Sequence, residues 1–331
     1  MHAVILAGGR GTRLRPLTDD RPKPLLPFLA APYATGLLRR LAAAGCDEVS
    51  VLVGADATPF EPLIGLGEEV GVRVAIETEP TPLDTAGAAR RLLRRGVGDP
   101  VLVCNGDILT DLDYAALVAR HEEAGATATL ALTEVTDTSA FGVVVCDRDG
   151  RVRRFVEKPP PGTIPDRTVN AGTYVLAADA FADFPGDGPL SFEKTVFPGL
   201  LGAGKLLLGV VSDAYWQDLG TPARYLDGHW AALDGRCAWP RPEALVVTGD
   251  VAVHADAEVD GDADLRRRVV ISPGAQIAAG AVLSDTVVHE DVVVGADARI
   301  RGAVLGRGTR VEAGAVVPDG AVLGAGTLVP A

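Results

Sequence analysis

Aliphatic residues recur at a nearly fixed interval through the last quarter of this 331-residue chain. Between Val253 and Val329, 11 of the 13 steps are six residues long and two are five. A six-residue period fits neither an α-helix nor a hairpin sheet, but it fits a parallel β-helix with one short strand per face. The sequence therefore predicts a left-handed parallel β-helix of about four to five coils over residues 249–331, after a linker over 236–248. The periodic positions are Val253, Val259, Leu265, Ile271, Ile277, Leu283, Val288, Val294, Ile300, Leu305, Val311, Val317, Leu323 and Val329.

Residues 1–235 follow a different pattern, in which short apolar strands alternate with helical stretches. This alternation predicts right-handed βαβ crossovers and an α/β domain with a Rossmann-like, mostly parallel sheet. Ligands of such sheets bind beyond the carboxyl ends of the strands. Three further segments, 141–147, 151–157 and 168–176, are expected to be extra strands that form a lid over one side. The other predicted strands are 3–7, 48–53, 73–77, 100–104 and 126–133, and the predicted helices are 37–44, 86–95 and 114–124.

The first predicted strand ends in a loop rich in glycine and arginine, and a lysine follows between two prolines. Gly8, Gly9 and Gly11 allow a sharp turn with bare backbone N–H groups, which predicts an anion-binding nest. The loop is neither a Rossmann fingerprint nor a P-loop, because the third glycine and the Gly-Lys-Ser/Thr step are both missing. Taken alone, it also fits an ordinary strand-to-helix turn. The accompanying cations are Arg10, Arg13, Arg15 and Lys23.

Two aspartates lie close to glycines, one just after a glycine and the other shortly before one. Asp107 ends the strand-like stretch VLVCNGD, and Asp218 lies in WQDLGTP. A hard cation such as Mg²⁺ binds carboxylate oxygens together with substrate phosphate oxygens. Each aspartate could equally cap a helix or serve a turn, and the residues alone leave both interpretations open.

A charge pair, Glu157 and Lys158, lies at the end of the predicted strand 151–157, in the segment FVEKP. On a regular strand these two side chains point to opposite faces. The three prolines that follow, at 159–161, are expected to break the pleat. The alternative is an exposed strand end with a solvated charge pair.

These blocks, in this order, resemble the signature of nucleoside-diphosphate-sugar pyrophosphorylases, the sugar-1-phosphate nucleotidyltransferases. The opening segment matches nearly completely from Leu6 to Pro27, and the segments NGD, FGV, FVEKP, NAGTY and WQDLGT follow in family order. The resemblance implies that Asp107 and Asp218 hold Mg²⁺, and it implies a catalytic role for Arg13, Lys23 and Lys158. The nucleotide-binding residues that it implies are Leu6, Ala7, Gly8, Gly9, Gly11, Thr12, Arg13, Glu79, Asp84 and Thr85. The sugar-phosphate-binding residues that it implies are Gly142, Glu157, Lys158, Asn170 and Gly172.

The choice of base is expected to lie in the block ETEPTPLDTAG, which resembles the family's GTAG block. The aligned base reader is Glu79, and Asp84 replaces the usual glycine. An ionised carboxylate only accepts hydrogen bonds, so Glu79 can take the two adjacent donors of guanine, which favours GTP. The alternative is that Glu79 is a solvated loop acid.

The resemblance implies that an NTP and a sugar 1-phosphate react to give an NDP-sugar and pyrophosphate by direct in-line displacement. The opening, the DTAG block and the hexapeptide tail look most like mannose-1-phosphate guanylyltransferases, so mannose 1-phosphate and GTP are the favoured substrates. Thymidylyl, uridylyl or adenylyl transfer to another hexose or cyclitol phosphate is the main alternative. A non-catalytic regulatory homologue and an acyltransferase acting through the β-helix remain further alternatives.

Composition narrows the expected partners and location. The net charge of −13 argues against a nucleic-acid partner, and no apolar run is long enough to predict a membrane span. Four cysteines without paired spacing, and no signal peptide at the start of the sequence, predict a reduced, cytoplasmic setting. The β-helix is expected to dock onto the first domain or onto a second subunit, and a homo-oligomer joined through the β-helix is favoured. Two of its histidines, His254 and His289, are expected at solvated corners.

Overall fold

The computed structural model describes residues 1–9, 11–79 and 81–331. These residues form two compact units, one of residues 1–9, 37–79 and 81–216 and one of residues 11–36 and 217–331. The domain boundaries drawn from the sequence, at 235 and 249, stay a prediction. In the described part of the chain, no helix has both the length and the apolar character needed to cross a membrane.

The elements before the hexapeptide region are short. The strands are β1 (His2–Leu6), β2 (Pro27–Phe28), β3 (Ala31–Pro32), β4 (Glu48–Val53), β5 (Arg73–Thr78), β6 (Val101–Asn105), β7 (Ile108–Thr110), β8 (Ala128–Glu134), β9 (Gly142–Cys146), β10 (Val152–Glu157), β11 (Thr168–Leu176), β12 (Leu207–Val211) and β13 (Trp216–Asp218). The α-helices are α1 (Tyr33–Ala43), α2 (Pro62–Glu69), α3 (Asp84–Arg94), α4 (Tyr114–Ala124), α5 (Phe197–Gly202) and α6 (Pro222–Leu233). The 3₁₀ turns are Thr12–Leu14, Lys23–Leu25 and Thr58–Phe60, and Phe192–Val196 forms a π-helical turn.

A nine-stranded sheet forms the centre of the first unit, with β10, β9, β11, β6, β1, β4 and β5 in spatial order. The strands β6, β1, β4 and β5 are parallel, and Leu6 lies opposite both Leu52 and Asn105. The loops after these strands therefore leave the same edge of the sheet. This parallel centre confirms the predicted α/β class.

Segments 141–147, 151–157 and 168–176 form strands as expected, but the expectation that these strands make a lid was wrong. They become β9, β10 and β11, which extend the same sheet by antiparallel pairing. The long strand β11 pairs with both β6 and β8. The backbone N–H and C=O groups of a buried strand need hydrogen-bond partners. Neighbouring strands of the sheet supply these partners along the whole strand, which a lid would not do.

The hexapeptide region winds into coils with three parallel faces, as the period predicts. The faces have the strand orders β14-β15-β18-β21-β24-β27, β16-β19-β22-β25-β28 and β17-β20-β23-β26. Only β14 pairs antiparallel to its neighbour, β15. The arrangement is consistent with a left-handed β-helix. Its strands are β14 (Leu245–Thr248), β15 (Val251–His254), β16 (Glu258–Val259), β17 (Asp264–Leu265), β18 (Val269–Ile271), β19 (Gln276–Ile277), β20 (Val282–Ser284), β21 (Thr286–Val288), β22 (Val293–Val294), β23 (Arg299–Arg301), β24 (Val304–Leu305), β25 (Arg310–Val311), β26 (Val316–Val317), β27 (Val322–Leu323) and β28 (Leu328–Val329).

The periodic aliphatic residues fill the interior of these coils. Ile271, Leu283, Val288 and Leu305 are completely buried in one apolar cluster. The expectation that His289 occupies a solvated corner was wrong, because its side chain is also buried. The hexapeptide pattern identifies the aliphatic residues that point inward. It does not show which faces of the β-helix are covered by another part of the chain.

An aromatic cluster in the second unit joins the loop after the glycines to helix α6. The ring centroid of Phe28 lies 4.4 Å from that of His229 and 5.7 Å from that of Trp239. Tyr33 stacks on Trp239 at 4.9 Å. A Cβ added at Gly36 would lie 2.4 Å from the indole nitrogen of Trp239, so this packing requires glycine.

Candidate active site

The glycine loop begins at the carboxyl edge of the parallel sheet, as predicted. Leu6 ends β1, and the backbone N–H of Ala7 still donates to Leu52 O at 2.9 Å. Gly8 and Gly9 are exposed, and a Cβ at Gly9 would meet no atom within 4 Å. Arg10, predicted to add charge here, lies outside the described residues.

Gly11 turns the chain into the 3₁₀ turn that carries Thr12 and Arg13. Its φ of 61° is in the left-handed region that favours glycine. Its carbonyl accepts the N–H of Leu14 and the hydroxyl of Thr18, each at 2.9 Å. These hydrogen bonds fix the backbone that directs Arg13.

Asp218 is the centre of a charge cluster in the second unit. Its Oδ2 lies 3.1 Å from the guanidinium of Arg224 and 3.6 Å from that of Arg13. Its Oδ1 lies 3.6 Å from Lys23 Nζ. The side chains of Asp218 and Lys23 are only 16% and 11% exposed, so water screens the Lys23 attraction weakly. A Cβ at Gly220 would come within 2.7 Å of both Asp218 Oδ1 and Arg13 Nη2, which keeps that position glycine.

Asp107 follows the carboxyl end of β6. The preceding Gly106 donates its N–H to Leu6 O at 2.9 Å, and a Cβ there would lie 3.0 Å from that oxygen. Glycine therefore lets the two chain segments approach closely. Asp107 does not cap the next helix, because Asp113 caps α4 by accepting the N–H of Ala116. Asp107 lies in the turn between β6 and β7, as the other alternative expected.

The NAGTY segment forms a tight bend within β11. Asn170 accepts the N–H of Gly172 at 2.9 Å and donates its amide to the hydroxyl of Tyr174 at 2.7 Å. Gly172 has a φ of 74°, and a Cβ there would lie 2.5 Å from the amide nitrogen of Asn105. Two predicted blocks, NGD and NAGTY, thus meet through Asn105 and Gly172.

The FGV and FVEKP segments face one another on β9 and β10. Gly142 lies opposite Glu157, and a Cβ on it would come within 2.9 Å of a Glu157 carboxylate oxygen and 2.7 Å of the Phe155 ring. The strand ends at Glu157, and Lys158 adopts a left-handed φ of 47°. The pleat therefore breaks at Lys158 itself, and Lys158 Nζ lies 3.5 Å from Glu157 Oε1.

Trp216, at the start of WQDLGT, holds two of these segments. Its indole N–H donates to Ala171 O at 2.9 Å, and its ring meets Phe141 edge to face at 5.3 Å. This tryptophan links the NAGTY and FGV blocks, a role that spacing in the sequence does not show.

The predicted base-reading loop is organised by its own acids. Glu79 accepts the N–H of Leu83 at 2.8 Å, and burial raises the pKa of the Glu79 carboxyl. Asp84 has a left-handed φ of 59° and accepts the N–H of Thr85. The Thr85 hydroxyl donates to Glu193 at 3.1 Å. One oxygen of Glu79 is therefore engaged by the loop backbone.

Sequence reasoning missed Glu193 and Arg224. Glu193 accepts hydrogen bonds from Thr85, Ser191 and Tyr174 and connects the start of α3 to β11. Arg224 lies in the first turn of α6, which Thr221 caps. The Thr-Pro pair at 221–222 indicates in the sequence that a helix starts there. It does not indicate that Arg224 forms an ion pair with Asp218, six residues earlier.

Two family models match this chain, one over the α/β region and one over the hexapeptide region. Residues 2–235 match the family model described as nucleotidyl transferase, and residues 247–330 match the one described as GMPPB C-terminal domain. A mannose-1-phosphate guanylyltransferase of Mycobacterium tuberculosis is 37% identical over 277 residues, covering 83% of this chain and 76% of that protein. The mannose-1-phosphate guanyltransferase beta-B of Xenopus laevis is 34% identical, covering 78% of this chain and 73% of that protein.

Among solved structures, the chain is similar to HddC from Yersinia pseudotuberculosis complexed with GMP-PN. The TM-score is 0.58 at 28% identity, and the match covers 69% of this chain and 97% of that one. The structural similarity thus covers about the same share of the chain as the nucleotidyl transferase region.

Proposed function

Because this chain belongs to the nucleotidyl transferase family, we propose that it transfers GMP from GTP to mannose 1-phosphate and releases pyrophosphate. The family resemblance read from the ordered motifs is confirmed. The names of the Mycobacterium and Xenopus relatives support these two substrates. The single structural observation that carries the proposal is the cluster of Asp218 with Arg13, Lys23 and Arg224.

This cluster suits phosphoryl chemistry because three cations surround one carboxylate. Their total charge exceeds that of Asp218 by two, which leaves positive charge to balance phosphate oxygens. We assign Lys23 and Arg13 to the phosphates around the leaving pyrophosphate, with Gly8, Gly9 and Gly11 presenting backbone N–H groups. Fixed cations lower the barrier of such a transfer mainly by stabilising the charge that develops during displacement.

The aspartates fit a divalent cation. Asp218 Oδ1 is buried and has no hydrogen-bond partner among the described residues. Asp107 and Asp218 are the proposed protein ligands, and substrate phosphate oxygens would supply further oxygen ligands of the kind that Mg²⁺ favours. When bound, Mg²⁺ would supply Lewis-acid charge to those oxygens.

The sugar phosphate is assigned to the first unit. Lys158, whose side chain is 64% exposed, is proposed to attract the attacking phosphate. Glu157 and Asn170 are proposed to orient sugar hydroxyls, and Gly142 and Gly172 leave the backbone bare for close approach.

Guanine is assigned to Glu79. One of its oxygens already accepts the N–H of Leu83, so the other is proposed to accept from guanine. Asp84 and Thr85 are proposed to shape the loop. A thymidylyl, uridylyl or adenylyl specificity, or another hexose or cyclitol phosphate, would need only a few different hydrogen bonds.

The testing experiment is a screen of pyrophosphate release with several NTPs and a panel of sugar phosphates. We expect GTP with mannose 1-phosphate to react fastest, and Asp107→Asn to abolish release while the far-UV circular dichroism spectrum stays unchanged. Turnover by Asp107→Asn equal to the parent chain would contradict the metal assignment. Absence of release with every pair would favour a regulatory homologue.

We also propose that the protein works as a cytoplasmic homo-oligomer joined through its β-helix. All four cysteines are free thiols, and Cys46, Cys104 and Cys237 are buried, which suits a reducing compartment. Sedimentation velocity of the whole chain and of variants on the β-helix surface tests the assembly.

A further inference from the structure

The segment that carries Lys23 is fastened on one side by the β-helix. Arg21 donates to Glu290 Oε1 at 2.9 Å, and the Arg21 side chain is 14% exposed. Glu290 is the second residue after β21. A second ion pair joins Arg307 to Asp20 at 3.5 Å. Two charges of the β-helix therefore hold the chain two and three residues before Lys23.

The other side of the same segment is also tied to the β-helix, through helix α6. The hydroxyl of Tyr225 donates to Pro27 O. The same hydroxyl lies 3.1 Å from His289 Nε2. Since the tyrosine has one proton to donate, His289 must donate its Nε2–H to the tyrosine oxygen. All of these atoms are buried, where an unmade hydrogen bond is costly.

Helix α6 also carries the other side of the charge cluster. Arg224, which pairs with Asp218 at 3.1 Å, precedes Tyr225 in the first turn of that helix. A shift of Tyr225 would thus move both Pro27 and the partner of Asp218. Consecutive β-helix residues, His289 and Glu290, contact the two ends of this arrangement.

We propose that His289 and Glu290 are positioning residues for the reaction: through Tyr225 and Arg21 they fix Lys23 relative to Asp218. This inference rests on the proposed function, because it gives Lys23 a role in the transfer. It assigns the β-helix a part in catalysis that does not depend on oligomerisation. A misplacement of about 1 Å can cost up to about a hundredfold in rate, so loss of either contact is expected to lower turnover.

The first test compares variants in pyrophosphate release. We expect Glu290→Ala and His289→Leu to lower kcat about tenfold with the KM for GTP within about twofold. His289→Gln, which retains an N–H donor, is expected to restore most of the loss. Glu258→Ala, at an exposed acid elsewhere in the β-helix, is the control for Glu290→Ala. Equal kcat in Glu290→Ala, His289→Leu and the parent chain would overturn the inference.

The second test does not need activity. Hydrogen exchange of a peptide spanning residues 17–28 is expected to rise severalfold in Glu290→Gln and His289→Leu while peptides of the central sheet keep their rates. Unchanged exchange in both variants would overturn the inference even if the parent chain were active. A parent chain without pyrophosphate release would instead overturn the proposed function, and the exchange data would still decide whether the β-helix holds the Lys23 segment.

Discussion

The two lysines assigned to phosphate are held in different ways. Lys23 lies in a 3₁₀ turn of the second unit, is 11% exposed, and faces Asp218 at 3.6 Å. Lys158 follows the end of β10 in the first unit, is 64% exposed, and faces Glu157 at 3.5 Å. Each precedes a proline. The two lysines therefore share a Lys-Pro sequence but differ in burial and in the unit that holds them.

This difference indicates a division of labour. A buried cation with a fixed carboxylate partner is preorganised, and preorganised charge acts mainly on the transition state. An exposed lysine on a flexible stem keeps its hydration and attracts an incoming anion through screened forces. Lys23 is thus expected to govern turnover and Lys158 to govern capture of the sugar phosphate.

The largest effect is expected at Lys23. Lys23→Gln should lower kcat by about 10²–10³, with the KM for mannose 1-phosphate within about threefold, because the lost charge acts during displacement. Steady-state pyrophosphate release measures both constants. Lys205→Gln, at a lysine outside the assigned segments, is the matched control. A kcat within about twofold of the parent chain would remove Lys23 from catalysis.

Gly172 tests whether the sugar side depends on backbone shape. Gly172→Ala is expected to lower the free energy of unfolding by about 2–3 kcal/mol, because it adds strain at φ 74° and a clash with Asn105. Gly204→Ala has a similar φ of 72° and open space, so it should cost only about 1 kcal/mol. Urea unfolding measures the two. Equal losses would show that the Asn105 contact contributes nothing.

Acid is expected to lower the free energy of unfolding by protonating two buried histidines that lie in the same unit as Lys23. Burial lowers the pKa of His229 to about 4 and that of His289 to about 3. The unfolded chain binds protons near pH 6.5, so the stability that these neutral histidines contribute is present above that pH. It is lost as the pH falls toward 4, by about 1.4 kcal/mol per pH unit for each histidine.

Urea unfolding between pH 7 and pH 4.5 checks this slope, with His289→Gln expected to remove about half of the two-histidine contribution. A slope unchanged by that substitution would show that His289 titrates normally in the folded chain.

The smallest effect is expected at Lys158. Lys158→Gln should raise the KM for mannose 1-phosphate about tenfold, about 1.4 kcal/mol, with kcat within about threefold. The parent KM should rise with added salt more steeply than that of the variant, because an exposed charge is screened. Equal salt dependence would show that Lys158 does not attract the substrate.

Local patterns predicted the elements well where the chain repeats or alternates. The six-residue period placed one inward aliphatic residue in each of the strands β15–β28, although β14 lies in the predicted linker, and helix 114–124 was predicted with its observed bounds. Ordered motifs also indicated the glycines that prove sterically necessary, such as Gly142 and Gly172. In these cases the physical requirement lies within a few residues of the signal.

The rest depended on contacts between distant parts of the chain. Arg21 and Glu290 are 269 residues apart, and no local pattern marks either as a partner. His289 follows an inward valine like any corner residue, but Tyr225 covers it. The strands β9–β11 were misplaced for the same reason, because a local strand pattern does not show which other strands it pairs with.

The most direct test of the division between the lysines is one titration of mannose 1-phosphate at saturating GTP, read by pyrophosphate release. Parent chain, Lys23→Gln and Lys158→Gln are assayed in the same series. We expect Lys23→Gln to lower the plateau at an unshifted half-saturation point, and Lys158→Gln to shift half-saturation with a nearly unchanged plateau. Superimposable curves for the two variants would contradict the division.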